Sequence, residues 1–446
     1  MSLHAINLKP VNLSTAARYL ALALLWFGSP LNADAASVGC NDAFVQLLDD
    51  ELVIDVAPNG SDDTVNLQCA LDSAVSTGVP IVRLRGATYF ISSVMVENFK
   101  GTLEGKTKTA TTIEVLDSSV DCAAINDSGR ESAAIKFAKG EPRLRFMTIN
   151  ADRPCMVNAY LDAIVHFTGG ATGTAECAND VVFGAVDRVI IDGSSIDDGP
   201  WSAVQATAEG WVLKGCKTTL LGTFKLNRST IRNVYSGLVT GMRSGAQVDV
   251  NFNEFRANGQ AVNLFDSNQN TTVTSNKFFG DNLSYDDYRG VFVTNWSDTP
   301  PATSRLVVHN NEFNTSSSFT DNWSYAVLFE FDGPSQSGVV SKISSVVTNN
   351  TFNLSGEDVY AIRIKDTSNV HVSANRFTGN GRRAIYASGE TPTSGWTITA
   401  NLGFATFVSK NEEHIRLGIN TSKYITGPAQ NTSVQDDSGN NTTLPQ

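Results

Sequence analysis

Asn253-Glu254-Phe255, Asn276-Lys277-Phe278, Asn311-Glu312-Phe313, Asn350-Thr351-Phe352 and Asn375-Arg376-Phe377 repeat one pattern through the second half of the chain. Each triplet follows an apolar run and leads through a polar turn to a small residue. Ser194-Ser195-Ile196 and Ser229-Thr230-Ile231 are earlier versions, and Asn401-Leu402-Gly403-Phe404 is a looser last one. The shortest intervals are 23 and 25 residues, and self-similarity at such periods signals a solenoid. The small residues are Ala163, Ala203, Gly237, Ala261, Gly290, Ala326, Ala361 and Ala384. After them come Ile164, Val204, Leu238, Val262, Val291, Val327, Ile362 and Ile385. Strands alternate faces with period 2, so these apolar residues and those two further on are expected inward. A single coil buries too little apolar surface to be stable, and stacking supplies the core. The expected fold is therefore all-β, a right-handed parallel β-helix, since parallel crossovers are almost always right-handed. The stacked Asn residues are expected to form a side-chain hydrogen-bond ladder.

Towards the N-terminus, Asp62-Asp63-Thr64 precedes Val65, Cys69, Ala70, Leu71, Ala74 and Val75 at helical spacing. The pattern predicts a helix near 63–77, capped by Asp63 or Thr64 and ended by Gly78. Such a helix can plug the first coil, whose strand edges are otherwise open. Further out, Lys9 and Arg18 precede an apolar run at 19–27, and Ala33-Asp34-Ala35 supplies small residues. These three regions read as an export signal over 1–35. The run is shorter than the roughly 20 residues a membrane helix needs, so no membrane span is expected. Residues 36–430 are expected to form one domain and 431–446 a polar tail. A secreted or periplasmic monomer follows from this reading.

Six cysteines lie beyond the signal: Cys40, Cys69, Cys122, Cys155, Cys177 and Cys216. An even count in an exported chain suggests disulfides, with fifteen pairings possible. Cys40 with Cys69 is expected, tying the leading segment to the capping helix. No CxxC pair occurs, which argues against zinc. The 446 residues carry 33 Lys and Arg against 45 Asp and Glu, a formal charge of −12. This excludes a chain-wide basic footprint for nucleic acid. A hydrophobic share of 41% also argues against intrinsic disorder.

One segment carries a family resemblance. It comprises Asn59-Gly60-Ser61-Asp62-Asp63-Thr64, Gln68, Ala70-Leu71-Asp72, Ala74, Val82-Arg83-Leu84-Arg85-Gly86-Ala87-Thr88-Tyr89 and Leu103-Glu104-Gly105. It resembles the pectate-lyase-like β-helix superfamily, in which an Asp-Asp-Thr…Gln helix precedes a Gly-x-Tyr strand and a Leu-x-Gly turn. The match covers roughly residues 55–115, and the later coils agree in pattern. The resemblance implies the fold. Its superfamily includes lyases, glycoside hydrolases, uronate epimerases and viral tail spikes, so it leaves the activity open.

Candidate site residues follow from the uneven coil lengths. Ala261 to Gly290 is 29 residues, Gly290 to Ala326 is 36, and Ala326 to Ala361 is 35, against 24 from Gly237 to Ala261 and 23 from Ala361 to Ala384. Extra residues in a solenoid form loops, often on the binding face. They include the Asp286-Asp287 pair, Arg289, Trp296 and Trp323. Between the inward positions, the strand after each small residue presents Leu328, Arg363 and Tyr386, then Glu330, Lys365 and Ser388. With Asp332 these make a charged patch on a low-charge surface, a candidate for acid–base or ligand chemistry. In a lyase acting on a uronic-acid polymer, Arg363 and Lys365 would bind the carboxylate and remove the C5 proton. Tyr386 is a further proton donor. Ca²⁺ would be held by Glu330, Asp332 or Asp286-Asp287, since hard cations take oxygen ligands. In a glycoside hydrolase Glu330 and Asp332 would be the carboxylate pair. Trp296, Trp323, Tyr386 and Arg289 are the substrate-binding candidates.

Arg363-Ile364-Lys365 also resembles the Arg-Ile-Lys substrate-binding tripeptide of the polygalacturonase family, which implies anion binding. That family's Asn-Thr-Asp and Gly-His-Gly motifs are absent. His166 takes an inward position in this reading, as a buried structural residue. The expected function is an exported enzyme cleaving a polysaccharide, with lyase ahead of hydrolase. The alternative is a non-catalytic glycan-binding or structural rod.

Overall fold

The computed structural model describes residues 39–48, 52–116, 133–151, 163–169, 182–194, 202–207, 222–241, 247–265, 270–280, 288–295, 305–315, 324–331, 344–355, 359–364, 370–379 and 383–387. It also describes the short strands at 397–399, 406–408, 416–417, 424–426 and 435–436. The expected signal, Cys122, Cys155, Cys177 and Cys216 lie outside these residues.

The chain is a parallel β-helix. Its described strands form a 15-stranded and a 20-stranded sheet. Pairing is parallel except at the start, where Val45–Leu48 runs antiparallel to Val53–Val56. The larger sheet turns a corner. Strands Thr230–Thr240 and Glu254–Phe265 run through that corner and pair on both sides of it. Each full coil thus contributes to three faces: the first sheet, a second face carrying the Asn-x-Phe triplets, and a third face after the corner.

Entry to the second face is set by one left-handed residue per coil, directly before the ladder Asn. These are Phe252, Ser275, Asn310, Asn349 and Ala374, with φ of 60°, 58°, 55°, 56° and 54°. A non-glycine residue in this region costs about 1–2 kcal/mol, so the turn needs compensation. The ladder supplies it. Asn253 N–H donates to Asn276 Oδ1 at 2.8 Å, Asn276 to Asn311 and Asn311 to Asn350 at 2.9 Å, and Asn350 to Asn375 at 3.0 Å. Each of the first four side-chain amides also donates to the next Asn Oδ1 at 3.0 Å. Two residues on, Phe255, Phe278, Phe313, Phe352 and Phe377 stack with centroids 4.6–5.1 Å apart and planes within 17°. Such a stacked pair adds about 0.5–1.5 kcal/mol beyond its buried area.

The phenylalanine stack also explains the small residues. A Cβ on Gly237 would lie 2.4 Å from the Ala261 carbonyl oxygen and 2.9 Å from the Phe255 ring. At Gly290 the Phe313 ring is equally close. The small residue faces the core together with the apolar residue after it, because the chain bends at the corner. Ala326 and Val327 are both fully buried in the core.

The helix spans Thr64–Thr77, with Asp63 before it and Gly78 after it at φ 74°. Asp63 sits at the cap position but makes no side-chain bond to its own helix. Its carboxylate instead accepts from Asn59 N at 2.7 Å and Phe90 N at 3.1 Å. Thr64 Oγ1 accepts from Ser92 N at 2.8 Å. The Gln68 amide accepts from Met95 N at 2.8 Å and donates to Met95 O at 2.7 Å. The Asp-Asp-Thr…Gln motif therefore acts as a side-chain substitute for a missing strand along the first coil's open edge. Cys40 and Cys69 are disulfide-bonded, as expected. At the other end, Gln435–Asp436 pairs parallel with Arg416–Leu417, so sheet pairing reaches into the polar tail. No helix among the described residues is long and apolar enough to cross a membrane.

Candidate functional site

The third face differs from the first sheet. Strands of the first sheet alternate buried and more exposed positions. On the third face every residue of Ala133–Ala138, Ala163–Thr168, Ser202–Thr207 and Val359–Ile364 is buried. Both sides of this sheet are thus withdrawn from solvent, as in parallel sheets covered on both faces.

The register brings the outward residues into columns. Leu328 lies opposite Arg363, and Arg363 opposite Tyr386, the alignment the sequence pattern predicts. The same column continues back through Phe292 and Asn263. A neighbouring column runs Gln260, Arg289, Tyr325, Tyr360 and Arg383. Glu330 lies opposite Thr294. The sequence pattern predicts an open, charged surface here. Instead Arg363 is only 8% exposed, and an apolar cluster of Phe292, Tyr325, Leu328 and Tyr360 lies on the same face. Arg289 opens strand Arg289–Asn295, where a loop residue is expected. Its guanidinium stacks 4.5 Å from the Phe292 ring centroid.

These groups converge on Tyr325. Its ring lies 5.4 Å from that of Tyr360. Burial pushes the Tyr325 phenol well above its ordinary range. The positive charges of Arg363 and Arg289 act against this, while Tyr360 and Glu330 reinforce it. Tyr325 is therefore a protonated phenol at neutral pH, within electrostatic reach of two arginines and a carboxylate. Lys365, Asp332, Trp296, Trp323, Asp286 and Asp287 lie outside the described residues, and of Tyr386 only the backbone position is described.

His166 belongs to this face, a correction to its inward assignment. Val165 and Phe167 pair with Val204 and Ala206, while His166 pairs with Gln205 and Lys136. The inward residue follows Ala163 by two positions here, so counting from the small residue shifts the alignment by one. His166 is fully buried. Burial and then the Lys136 charge hold its pKa well below the ordinary value. Its Nε2 lies 3.0 Å from Thr207 Oγ1, which also accepts from Gln205 Nε2 at 3.0 Å. A neutral ring can accept the Thr207 hydroxyl proton. The column thus contains Lys136, His166, Gln205, Asn263 and Arg363. The sequence signal that would have exposed it is the Val165/Phe167 alternation.

Buried polar atoms without a partner mark the face between these two groups. They are Gln205 Oε1, Ser236 Oγ, Asn258 Oδ1, Asn263 Oδ1 and Thr294 Oγ1. Leaving such a group unsatisfied costs about 1–3 kcal/mol. Native interiors satisfy most such groups, with protein atoms or ordered water. Among the described residues no group of three His, Cys, Asp or Glu is placed to hold a metal ion.

No family model matches the chain, and no curated protein matches it. Solved structures do. PfbA, a surface adhesin of Streptococcus pneumoniae, aligns at TM-score 0.50 and 13% identity over 86% of this chain and 91% of its own. The Dettilon tailspike protein aligns at TM-score 0.46 and 13% identity over 86% and 68%. The Azotobacter vinelandii mannuronan C-5 epimerase AlgE4 A-module aligns at TM-score 0.39 and 13% identity over 87% and 97%. At these identities the likeness is one of fold.

Proposed function

We propose that the protein is an exported β-helix that binds and cleaves an acidic polysaccharide on the third face. The observation that carries this is the register that sets Arg289 beside Tyr325 and Arg363 beside Leu328, around the apolar cluster of Phe292, Tyr325, Leu328 and Tyr360. Two cations around an aromatic floor suit a uronate: guanidinium forks bind carboxylates in two-pronged fashion, and rings cover apolar sugar faces.

Two arginines against one carboxylate among the cluster's described residues favour β-elimination over hydrolysis. Arg363 holds the uronate carboxylate and drains charge from C5. Lys365 takes the C5 proton, the C4–O bond breaks as the C4–C5 double bond forms, and the leaving oxygen gains a proton from Tyr325 or Tyr386. Glu330 is the one carboxylate among the cluster's described residues, and calcium needs six to eight oxygen donors. Ca²⁺ held by Glu330 with Asp332 or Asp286-Asp287 would offset substrate charge, and dialysis against a chelator tests whether activity requires it. A second reading, a glycan-binding rod without catalysis, is supported by the architecture shared with the surface adhesin.

Incubation with uronate and neutral polymers tests this. Unsaturated, ultraviolet-absorbing ends indicate a lyase, and reducing ends without them a hydrolase. Binding without cleavage favours the rod. Arg363→Ala and Lys365→Ala should each lower turnover about 10²–10³-fold, as loss of a preorganised charge does. Arg363 is buried, so circular dichroism and the milder Arg363→Lys variant separate misfolding from lost chemistry. Full activity in both alanine variants refutes the assignment.

A further inference from the structure

The opposite side of the solenoid carries a groove of about 510 Å³ on the outer face of the first sheet. Its wall includes Arg143, Phe183, Ala185 and Lys225. Gly184 cannot carry a side chain, because a Cβ there would lie 2.4 Å from the Phe167 ring. Ala185 follows, and the register sets it between Arg143 on one neighbouring strand and Lys225 on the other. A methyl group thus separates two long basic side chains. Two strand spacings put their backbones about 9.6 Å apart.

The surrounding charges are matched, and these two are not. Arg83 and Arg145 both pair with Glu104, at 3.1 and 2.5 Å. Arg188 and Arg228 both pair with Asp187 at 3.3 Å. Asp249, beside Lys225 in the register, accepts instead from Gln247 and Thr272. Arg143 and Lys225 are exposed and have no ion-pair partner among the described residues. Glu141 also lines the groove, on the same side as Arg143, and forms no ion pair among the described residues. At the groove's edge Phe183 is 36% exposed, one of few large apolar residues left in solvent among the described residues.

We propose that this groove is a second, independent binding site for an acidic saccharide. Arg143 and Lys225 hold carboxylates of the chain, and Phe183 stacks on a sugar face. Charge complementarity selects the ligand: Arg143 and Lys225 outnumber Glu141, the groove's one unmatched carboxylate among the described residues, and on a protein of net charge −12 this local excess favours an anion over a neutral glycan. The spacing across Ala185 suits carboxylates repeated along one polymer. The site shares the substrate class proposed for the third face but none of its residues. It would hold a polymer on the solenoid while the other face acts on it.

Calorimetric titration with a galacturonate hexamer tests this, with maltohexaose as the neutral probe. Unsaturated ends are followed in parallel, so that turnover is scored separately. Arg143→Gln/Lys225→Gln should lose at least tenfold in affinity for one class of site and show a shallower salt dependence. Phe183→Ala should lose about threefold or more. All three residues are exposed, so thermal melts should be unchanged, as should turnover. Wild-type binding by the double variant overturns the proposal. So does equal affinity for maltohexaose, or no binding of the hexamer by the wild-type protein. Cleavage of a polymer on the third face is read independently in each case.

Discussion

His166 shows how one side chain couples the face to pH. The folded state keeps the ring neutral, whereas the unfolded chain protonates it near its ordinary value of about 6.5. The unfolded state therefore binds more protons below that pH, and stability falls as pH drops through it. The slope approaches about 1.4 kcal/mol per pH unit. Above pH 6.5 the contribution is constant. Urea melts of the wild type and His166→Gln between pH 5 and 8 should differ in slope below 6.5 and run parallel above it. Equal slopes throughout would show that burial does not hold His166 neutral. Arg363, in the same column, was legible from alternation alone, because Ala361 and Ile362 fix its direction. Its burial was not legible, since nothing local states what covers an outward side chain.

At the scale of the element, the ladder and the cap can be separated. Asn311 accepts from Asn276 N and Nδ2 and donates to Val273 O and Asn350 Oδ1. Asn311→Ala strips buried partners on both sides and should cost roughly 2–4 kcal/mol, read as a fall in the unfolding midpoint. An effect under 1 kcal/mol would mean the turns hold without the ladder. Gln68 is different, because it bonds one strand edge at the surface. Gln68→Leu should cost only about 1–2 kcal/mol. Its signature should be local: faster amide exchange at Met95, with the coils around Asn311 unaffected. The motif that carries the family resemblance is thus assigned to edge protection, which is why it identifies a fold and not an activity.

For the whole molecule, the Cys40–Cys69 bond clips the leading hairpin to the cap across a sequence separation of 29. Loop-closure entropy makes such a link worth about 3–4 kcal/mol. Cys40→Ala/Cys69→Ala should lower stability by that order in denaturant titrations. Because a solenoid's coils contact mainly their neighbours, loss should begin at the N-terminal end and expose Tyr89 before Phe313. A uniform, all-at-once transition in the variant would contradict nearest-neighbour cooperativity. The sequence by itself determined the coil, its Asn ladder and the helical cap, since each rests on short-range spacing that stacking simply repeats, and it made Cys40–Cys69 the expected pair among fifteen. Only the tertiary structure decided the rest. It set His166 and Arg363 in one column, buried the Tyr325 cluster, and left Arg143 and Lys225 unmatched across Ala185. These depend on which strands become neighbours and which polar atoms find partners, properties that no single coil's residues contain.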